Sequence, residues 1–515
     1  MMSQSQLLIA NAVWKQFPSQ RCSEFRLVLA TAVLAGAATG ALGQPAIFPA
    51  DNPWNQSIAA APVAANSTAI VNALVANSPQ GKLHPDFGQD YFNTGSLYGI
   101  PYNTVHGNSV PKVTFSIEAS PDESDIVPVP LPANVVLEGD FQNGPNPSFS
   151  ARGDSHLIVW DQDNNVGYEL YHAQRPSETT DGLWHADSEA VWNFNADSFR
   201  TLGYTSADAA GLPILPGLAR PDEGLPTSQG GRGAITHALR FTLNNPLILN
   251  QFIYPASHVA NPGNLNPATQ PPMGTRFRLK SSVPISGLNP QSQVIARAMQ
   301  TYGLILADNG SNLFFTGASY SVNAGNAFAL TWDDNDIQDT VHGLKSLTYT
   351  DFEVVDLTPV VSGLSATSAA PGATITVLGQ NFSGASGHLA VLFGSTASGL
   401  TTVVDDSHAT TVVPVGSGVV DVRVQSGLSN DPGDSENITS PIFGYGISAF
   451  VAADRFMFIG TCIADFNGDG RVTVQDIFSF LASWFQKLPS ADIDHSGTVT
   501  VEDIFTFLHA WFAGC

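Results

Sequence analysis

The segment "ADFNGDGRVTVQDIFSFLASWF", from Ala464 to Phe485, is written again from Ala491 to Phe512 as "ADIDHSGTVTVEDIFTFLHAWF". In both copies oxygen-bearing side chains alternate with small ones, a glycine follows, and an amphipathic helix begins. Calcium takes six to eight oxygen ligands in a flexible shell, and a 12-residue loop supplies them at alternating positions with glycine at the sixth. In the first copy Asp465, Asn467 and Asp469 stand at positions one, three and five, Gly470 is sixth, Arg471 offers its backbone carbonyl at seven, and Asp476 is twelfth. The second copy keeps the register with Asp492, Asp494, Ser496, Gly497, Thr498 and Asp503, while Thr473 and Thr500 occupy position nine. A single match would be a fair motif hit, set against the alternative of an acidic turn on a solvated face. Two in register, each followed by Ile-Phe-x-Phe-Leu-x-x-Trp-Phe, predict two Ca2+ sites.

The rest of the chain is of a different kind. Charged residues make up only 12%, with 46 Gly and 34 Pro among 515 residues, a turn-rich and mainly β composition long enough for two to four domains. A formal charge of -24 argues against a nucleic-acid partner, whose phosphates are held by clustered Lys and Arg. The run "LVLATAVLAGAATGALG" (27–43) follows Arg21 and Arg26 and ends in a small-x-small pattern, so residues 1–43 read as a secretory signal. That run is short for a membrane span, and the mature protein is expected outside the cell or at its surface with no span. Cys22 leaves with the signal. Cys462 and Cys515 then bracket the doubled segment, and an even count in a secreted chain predicts a disulfide between them.

Short strand-like runs such as "HLIVW" (156–160), "VGYELYH" (166–172) and "HALRFTL" (237–243) mark residues 45–356 as a large β-sandwich-like domain, with helices expected over 66–78 and 289–306. Residues 357–447 turn to Val, Thr, Gly and Ser with alternating apolar positions, the texture of an Ig-like β-sandwich. Residues 448–461 read as a linker too apolar to be free, and 462–515 as a small α-helical calcium-binding module.

Three resemblances add to this reading. "APGATITVLGQNF" (370–382), "VLFG" (391–394) and "GVVDVRV" (418–424) resemble the IPT/TIG family of Ig-like domains, which implies a spacer or binding module. One loop and one helix per repeat, with Asp rather than Glu at position twelve, resembles a dockerin, whose calcium is structural and whose partner is a cohesin-bearing scaffold. The residues before position twelve, Val474-Gln475 and Val501-Glu502, depart from the small hydroxyl residues common there, so the resemblance implies a cohesin-like or cell-surface partner without a legible recognition code. "YGIPYNTV" (98–105), "GDSHLIVWDQDNNVGYELYHA" (153–173) and "WDDNDI" (332–337) resemble an uncharacterised family of secreted bacterial proteins, which supplies a boundary and no mechanism.

Any chemistry is expected in the first domain. Glycoside hydrolysis needs two carboxylates across a sugar, and a polysaccharide lyase needs a Tyr or His base beside a cation. Strict alternation puts Glu169 and Tyr171 on one strand face and His156, Ile158 and Trp160 on one face of the strand before, so a hairpin would bring His156 toward Glu169. His237 opens another strand and Asp308 closes one, which makes His156, Glu169, His237 and Asp308 the candidate catalytic residues. "WDDNDI" reads as a surface turn or a further calcium site, and "RGD" (152–154) as a coincidence. The sequence lacks G-x-S-x-G, H-E-x-x-H and phosphate-loop motifs. Two functions remain: a secreted polysaccharide hydrolase or lyase with an attachment module, or a non-catalytic surface protein that binds a glycan or protein.

Overall fold

A computed structural model of the chain describes residues 47–50, 52–78, 81–89, 97–140, 148–260, 266–319, 330–382, 389–416, 418–426, 446–459, 463–467, 471–494 and 496–513. The signal segment 1–43, Cys462, Cys515 and Asp469 lie outside them. Among the described residues no helix is long and apolar enough to cross a membrane.

The chain is mainly β. In the first domain Leu157–Asp161 and Val166–Tyr171 form an antiparallel hairpin with Ile158 opposite Glu169. Its turn is held by its own side chains: Asp161 accepts the N–H groups of Gly107 and Asp163, and Asn165 takes a left-handed φ of 51°. Ser188–Asn193 extends this hairpin on one side and Tyr102–Val105, running parallel to Leu157–Asp161, on the other. A six-stranded sheet carries, in spatial order, His84–Asp86, Phe314–Thr316, Leu239–Leu243, Leu304–Asn309, Arg276–Leu279 and Phe352–Val354. Ile158, Trp160 and Trp192 of the smaller sheet share one core with Phe241, Phe277, Leu304 and Phe315 of the larger. The opposite face of the smaller sheet is also covered, Leu157, Val159 and Leu170 packing on Phe115, Val129 and Leu137. Burial on both faces is why these strands read as continuous apolar runs.

The helix expected over 66–78 is Ser67–Asn77. The one expected over 289–306 stops at Thr301. Gly303 sits at φ +73°, where an added Cβ would stand 2.2 Å from the Phe277 carbonyl oxygen, and the chain leaves as the strand Leu304–Asn309. "LIL" is a short apolar run with no period of its own, so periodicity alone could not separate it from the helix before it. "WDDNDI" contains the short helix Asp334–Ile337, and Asp336 accepts N–H bonds from Gln291 and Ser292 at the start of helix Pro290–Thr301. That carboxylate caps a helix dipole.

In the Ig-like unit, Val360–Leu364, Thr374–Gln380, His408–Val412 and Thr401–Asp405 form one sheet. The second holds Leu389–Phe393, Val419–Ser426 and Arg455–Phe458, with Val361, Val377, Phe382, Val391, Val424 and Phe456 in a common core. Of the segment 448–461 expected as a linker, the described residues 448–459 are therefore more than that. "RFMF" alternates, Phe456 and Phe458 pointing into the sandwich while Arg455 and Met457 face out, and it pairs with both Val419–Ser426 and Ser368–Ala369.

The doubled segment folds as two helices, Val474–Phe485 and Val501–Ala513, around Phe480 and Phe507, whose rings stack at 4.3 Å.

Candidate functional site

One recess of about 280 Å³ opens at the ends of the first domain's strands, and four aspartates line it: Asp154, Asp187, Asp208 and Asp308, with Tyr171 and His258. Each arrives for a local reason. Tyr171 is the last residue of its strand and His172 follows at φ 57°, turning the chain away. Asp154 follows Gly153, itself at φ +71°. Asp308 lies on Leu304–Asn309, beside the parallel strand that carries Arg240.

Arg240 organises the floor. Its guanidinium makes a two-point salt bridge to Asp208, one bond of which is Nε to Oδ2 at 2.8 Å, donates to Thr316 Oγ1 at 2.6 Å, and lies 3.5 Å from Asp308 Oδ2. Asp208 is fully buried and holds the guanidinium; Asp308 is left with a long contact and a like charge beside it. Burial first, and the Asp208 carboxylate second, push the Asp308 carboxyl well above the ordinary range. A carboxyl raised in this way, with its side chain 20% exposed, has the property expected of a general acid.

The surrounding groups are set by the same floor. Burial, then the charges of Asp154, Asp308 and Asp187, push Tyr171 up to about 12, and its hydroxyl bonds to Asp154. His156 stands behind the recess with Nδ1 2.5 Å from Glu138 and Nε2 3.1 Å from the Ala207 carbonyl. Burial works against its charge, but Glu138 more than offsets it and holds His156 up to about 9. Asp86, across from Arg240, is pushed to about 6 by burial and by Glu138.

Of the four candidates from sequence, only Asp308 lines the recess. His156 supports it from behind. Glu169 shares a face with Ile158 as expected but is fully buried, accepting N–H bonds from Ile214, Leu215 and the Trp192 indole. His237 lies in a separate buried cluster, bonded to Glu223, which also holds Arg220 and Arg232. Sequence reasoning missed Asp208, Asp187 and Arg240 as site residues and set Asp154 aside in "RGD". The only local signal was the position of Arg240 inside an apolar strand, where an unpaired charge would be costly.

These buried groups give the first domain a distinct response to pH. Burial raises Glu169 to about 7 and Glu189 to about 8, and Glu138 raises His156 to about 9. All three bind protons more tightly folded than unfolded, so their contribution is complete below the unfolded carboxylate range and is lost as pH rises through 7, 8 and 9. Thermal denaturation of the full chain between pH 5 and 9 is expected to show a melting temperature that falls steadily as this stabilisation, on the order of several kcal/mol in sum, is lost. A melting temperature that rose over that range would contradict the assignment.

The second candidate site is the loop pair. In the second loop the carboxylates of Asp492, Asp494 and Asp503 converge with ligand atoms within 4.8 Å of one another, the one such trio among the described residues. Asp492 accepts the N–H groups of Ser496 and Gly497, and Gly497 at position six has φ +85°. Asp503 accepts from Ile493, Asp494 and Thr500. In the first loop Asp476 repeats this with Asn467 and Thr473. An all-oxygen donor set on a folded loop fits a hard divalent cation of calcium's size.

Comparison with known proteins identifies residues 359–439 as an IPT/TIG domain. No curated protein matches the chain. Solved structures with partial likeness include an auxiliary nutrient binding protein from Bacteroides ovatus, 16% identical over 20% of this chain and 21% of that one, with a TM-score of 0.15. They also include SGBP-B from a xyloglucan utilization locus in Bacteroides uniformis, 25% identical over 15% of this chain and 22% of that one, TM-score 0.13. A third is the γ-CGTase from alkalophilic Bacillus clarkii, 17% identical over 22% of this chain and 14% of that one, TM-score 0.14. The chain spans about a fifth or less of these proteins, and at such scores the likeness carries no argument.

Proposed function

We propose that this is a secreted polysaccharide hydrolase whose first domain cleaves a glycan lacking carboxylates, and whose C-terminal repeat is a calcium-folded attachment module. The observation that carries the enzymatic half is Asp308, a carboxyl open to the recess whose hold on a proton is strengthened by burial and by the Asp208 carboxylate beside it. In this reading Asp308 gives its proton to the glycosidic oxygen as the C–O bond breaks. Asp154, exposed and bonded to Tyr171, is the carboxylate available to assist the attacking water. The lyase alternative is disfavoured by charge. Arg240 and His156 are already paired with Asp208 and Glu138, leaving neither to neutralise a uronate, and a Tyr171 raised to about 12 is a poor base.

A binding-only reading has one observation in its favour. A wider groove of about 1180 Å³, bordered by Val113, Leu131, Pro132, Pro176 and Trp184, offers an apolar face beside the paired charges of Asp140 and Arg175 and of Glu178 and Arg152. Incubating the full chain with neutral and acidic polysaccharides, and reading reducing ends and unsaturated products, separates the three. Reducing ends from a neutral glycan support hydrolysis, unsaturated ends support a lyase, and retained binding with no product from any glycan leaves the groove as the functional surface.

For the attachment module the support is the loop register and an unburied apolar face. Val474, Phe478 and Phe485 lie on one side of the first helix and Val501, Phe505 and Phe512 on the same side of the second, all more than half exposed. A face of this kind suits a protein partner, cohesin-like or on a cell surface. Chelating calcium from the full chain is expected to remove the helical signal of this pair while leaving the β-sheet signal intact, because its small core cannot overcome the repulsion of clustered carboxylates. A far-ultraviolet spectrum indifferent to chelation would refute the calcium reading.

A further inference from the structure

The two repeats are joined by a pair of reciprocal hydrogen bonds. The Trp484 indole of the first helix donates to the Thr500 carbonyl of the second loop at 2.6 Å, and the Trp511 indole of the second helix donates to the Thr473 carbonyl of the first loop at 3.0 Å. Thr473 and Thr500 both stand at position nine. Each is tied onward to the carboxylate at position twelve: Thr473 N–H donates to Asp476 at 2.8 Å and Thr500 N–H to Asp503 at 2.7 Å. A third crossing is one-sided, since Lys487 Nζ donates to the Val499 carbonyl at 2.7 Å while its charge rests over the Trp484 ring.

We propose that Trp484 and Trp511 are positioning residues, each for the ion-binding loop of the other repeat, so that filling one loop raises the affinity of the second. The proposal rests on the calcium reading given above. The physical basis is that a loop's position-twelve carboxylate is held by its position-nine residue, and that residue is held by a helix beginning where the opposite loop ends. Ordering one loop fixes the start of its helix, and that helix presents the indole that fixes the other loop. The stacked rings of Phe480 and Phe507 keep the two helices in register for both bonds. Among the described residues, the Lys487 bond makes the arrangement unequal, adding to Trp484 a second donor that reaches the second loop from across the interface.

The test is calorimetric titration of the full chain with calcium alone, after chelation and dialysis, with the helical signal followed in parallel. The wild type is expected to bind two ions, the second more tightly than independent sites allow. With Asp492→Ala silencing the second loop, Trp511→Phe should weaken the first roughly 2- to 10-fold, the range of one lost hydrogen bond. With Asp465→Ala silencing the first, Trp484→Phe should weaken the second by a similar factor. Lys487→Met, an exposed change with little bearing on folding, should weaken the second loop alone. Two ions bound independently, or each Trp→Phe change weakening its own loop or neither, would overturn the coupling and leave the calcium reading standing. An unchanged second loop in Lys487→Met would likewise count against it. Absence of any calcium binding by the wild type would remove both.

Discussion

Replacing Arg240 with methionine is expected to destabilise the first domain by about 3–5 kcal/mol, the cost of breaking a buried ion pair from one side. Arg240 and Asp208 are almost wholly buried, and the variant would leave Asp208 and Thr316 without the guanidinium's bonds. Domain stabilities of about 5–15 kcal/mol make this a large fraction of the total. Denaturant titration of the full chain should show an early transition for the variant. The double variant with Asp208→Leu should recover much of the loss, since an apolar pair leaves no charge stranded. A variant as stable as wild type at neutral pH would mean that Arg240 does not hold this floor together.

The second large effect is expected at Asp308. Asp308→Asn keeps the shape and can still accept the N–H bonds of Ala209 and Asn309, but has no acidic proton to give. Hydrolysis should fall by roughly 10²–10⁴-fold, the usual worth of a positioned general acid. Stability should change little or improve, because the amide has no ionisable group to set against the Asp208 carboxylate. In the wild type, activity should be lost as pH rises through the elevated Asp308 range, since the acid must be protonated to act, and the residual activity of Asp308→Asn should lack that limb. Equal rates for the two proteins would assign proton transfer elsewhere. The same substitution under the binding-only reading should leave glycan affinity at the Trp184 groove unchanged.

What could be read from the sequence was what is contiguous in it. The loop register lies within twelve residues, so ligand spacing is visible directly, as are the hairpin around Asn165 and the alternation of the Ig-like strands. The recess is the opposite case. Asp208 and Arg240 are 32 residues apart and Arg240 and Asp308 are 68 apart; the parallel pairing of Leu239–Leu243 with Leu304–Asn309 brings the latter two together, and the Ala210 N–H bond to the Ala307 carbonyl brings in the segment of Asp208. Glu169 shows a subtler failure. Its face was legible, but its role was not, because two of its donors come from Ile214 and Leu215, on a segment with no strand or helix period. "RFMF" was passed over for a different reason, since four residues after a long loop are too few to distinguish a strand from an apolar tether.

The parallel crossover between the strands of Arg240 and Asp308 also bears on the order in which the molecule is made. A chain synthesised from its N-terminus carries Asp154 and Tyr171 early, yet has no acid pair until the strand ending at Asn309 has emerged and threaded beside Leu239–Leu243. Contacts this distant in sequence form late in folding. The recess lined by Asp154, Tyr171, Asp208 and Asp308 therefore takes shape only with the finished fold.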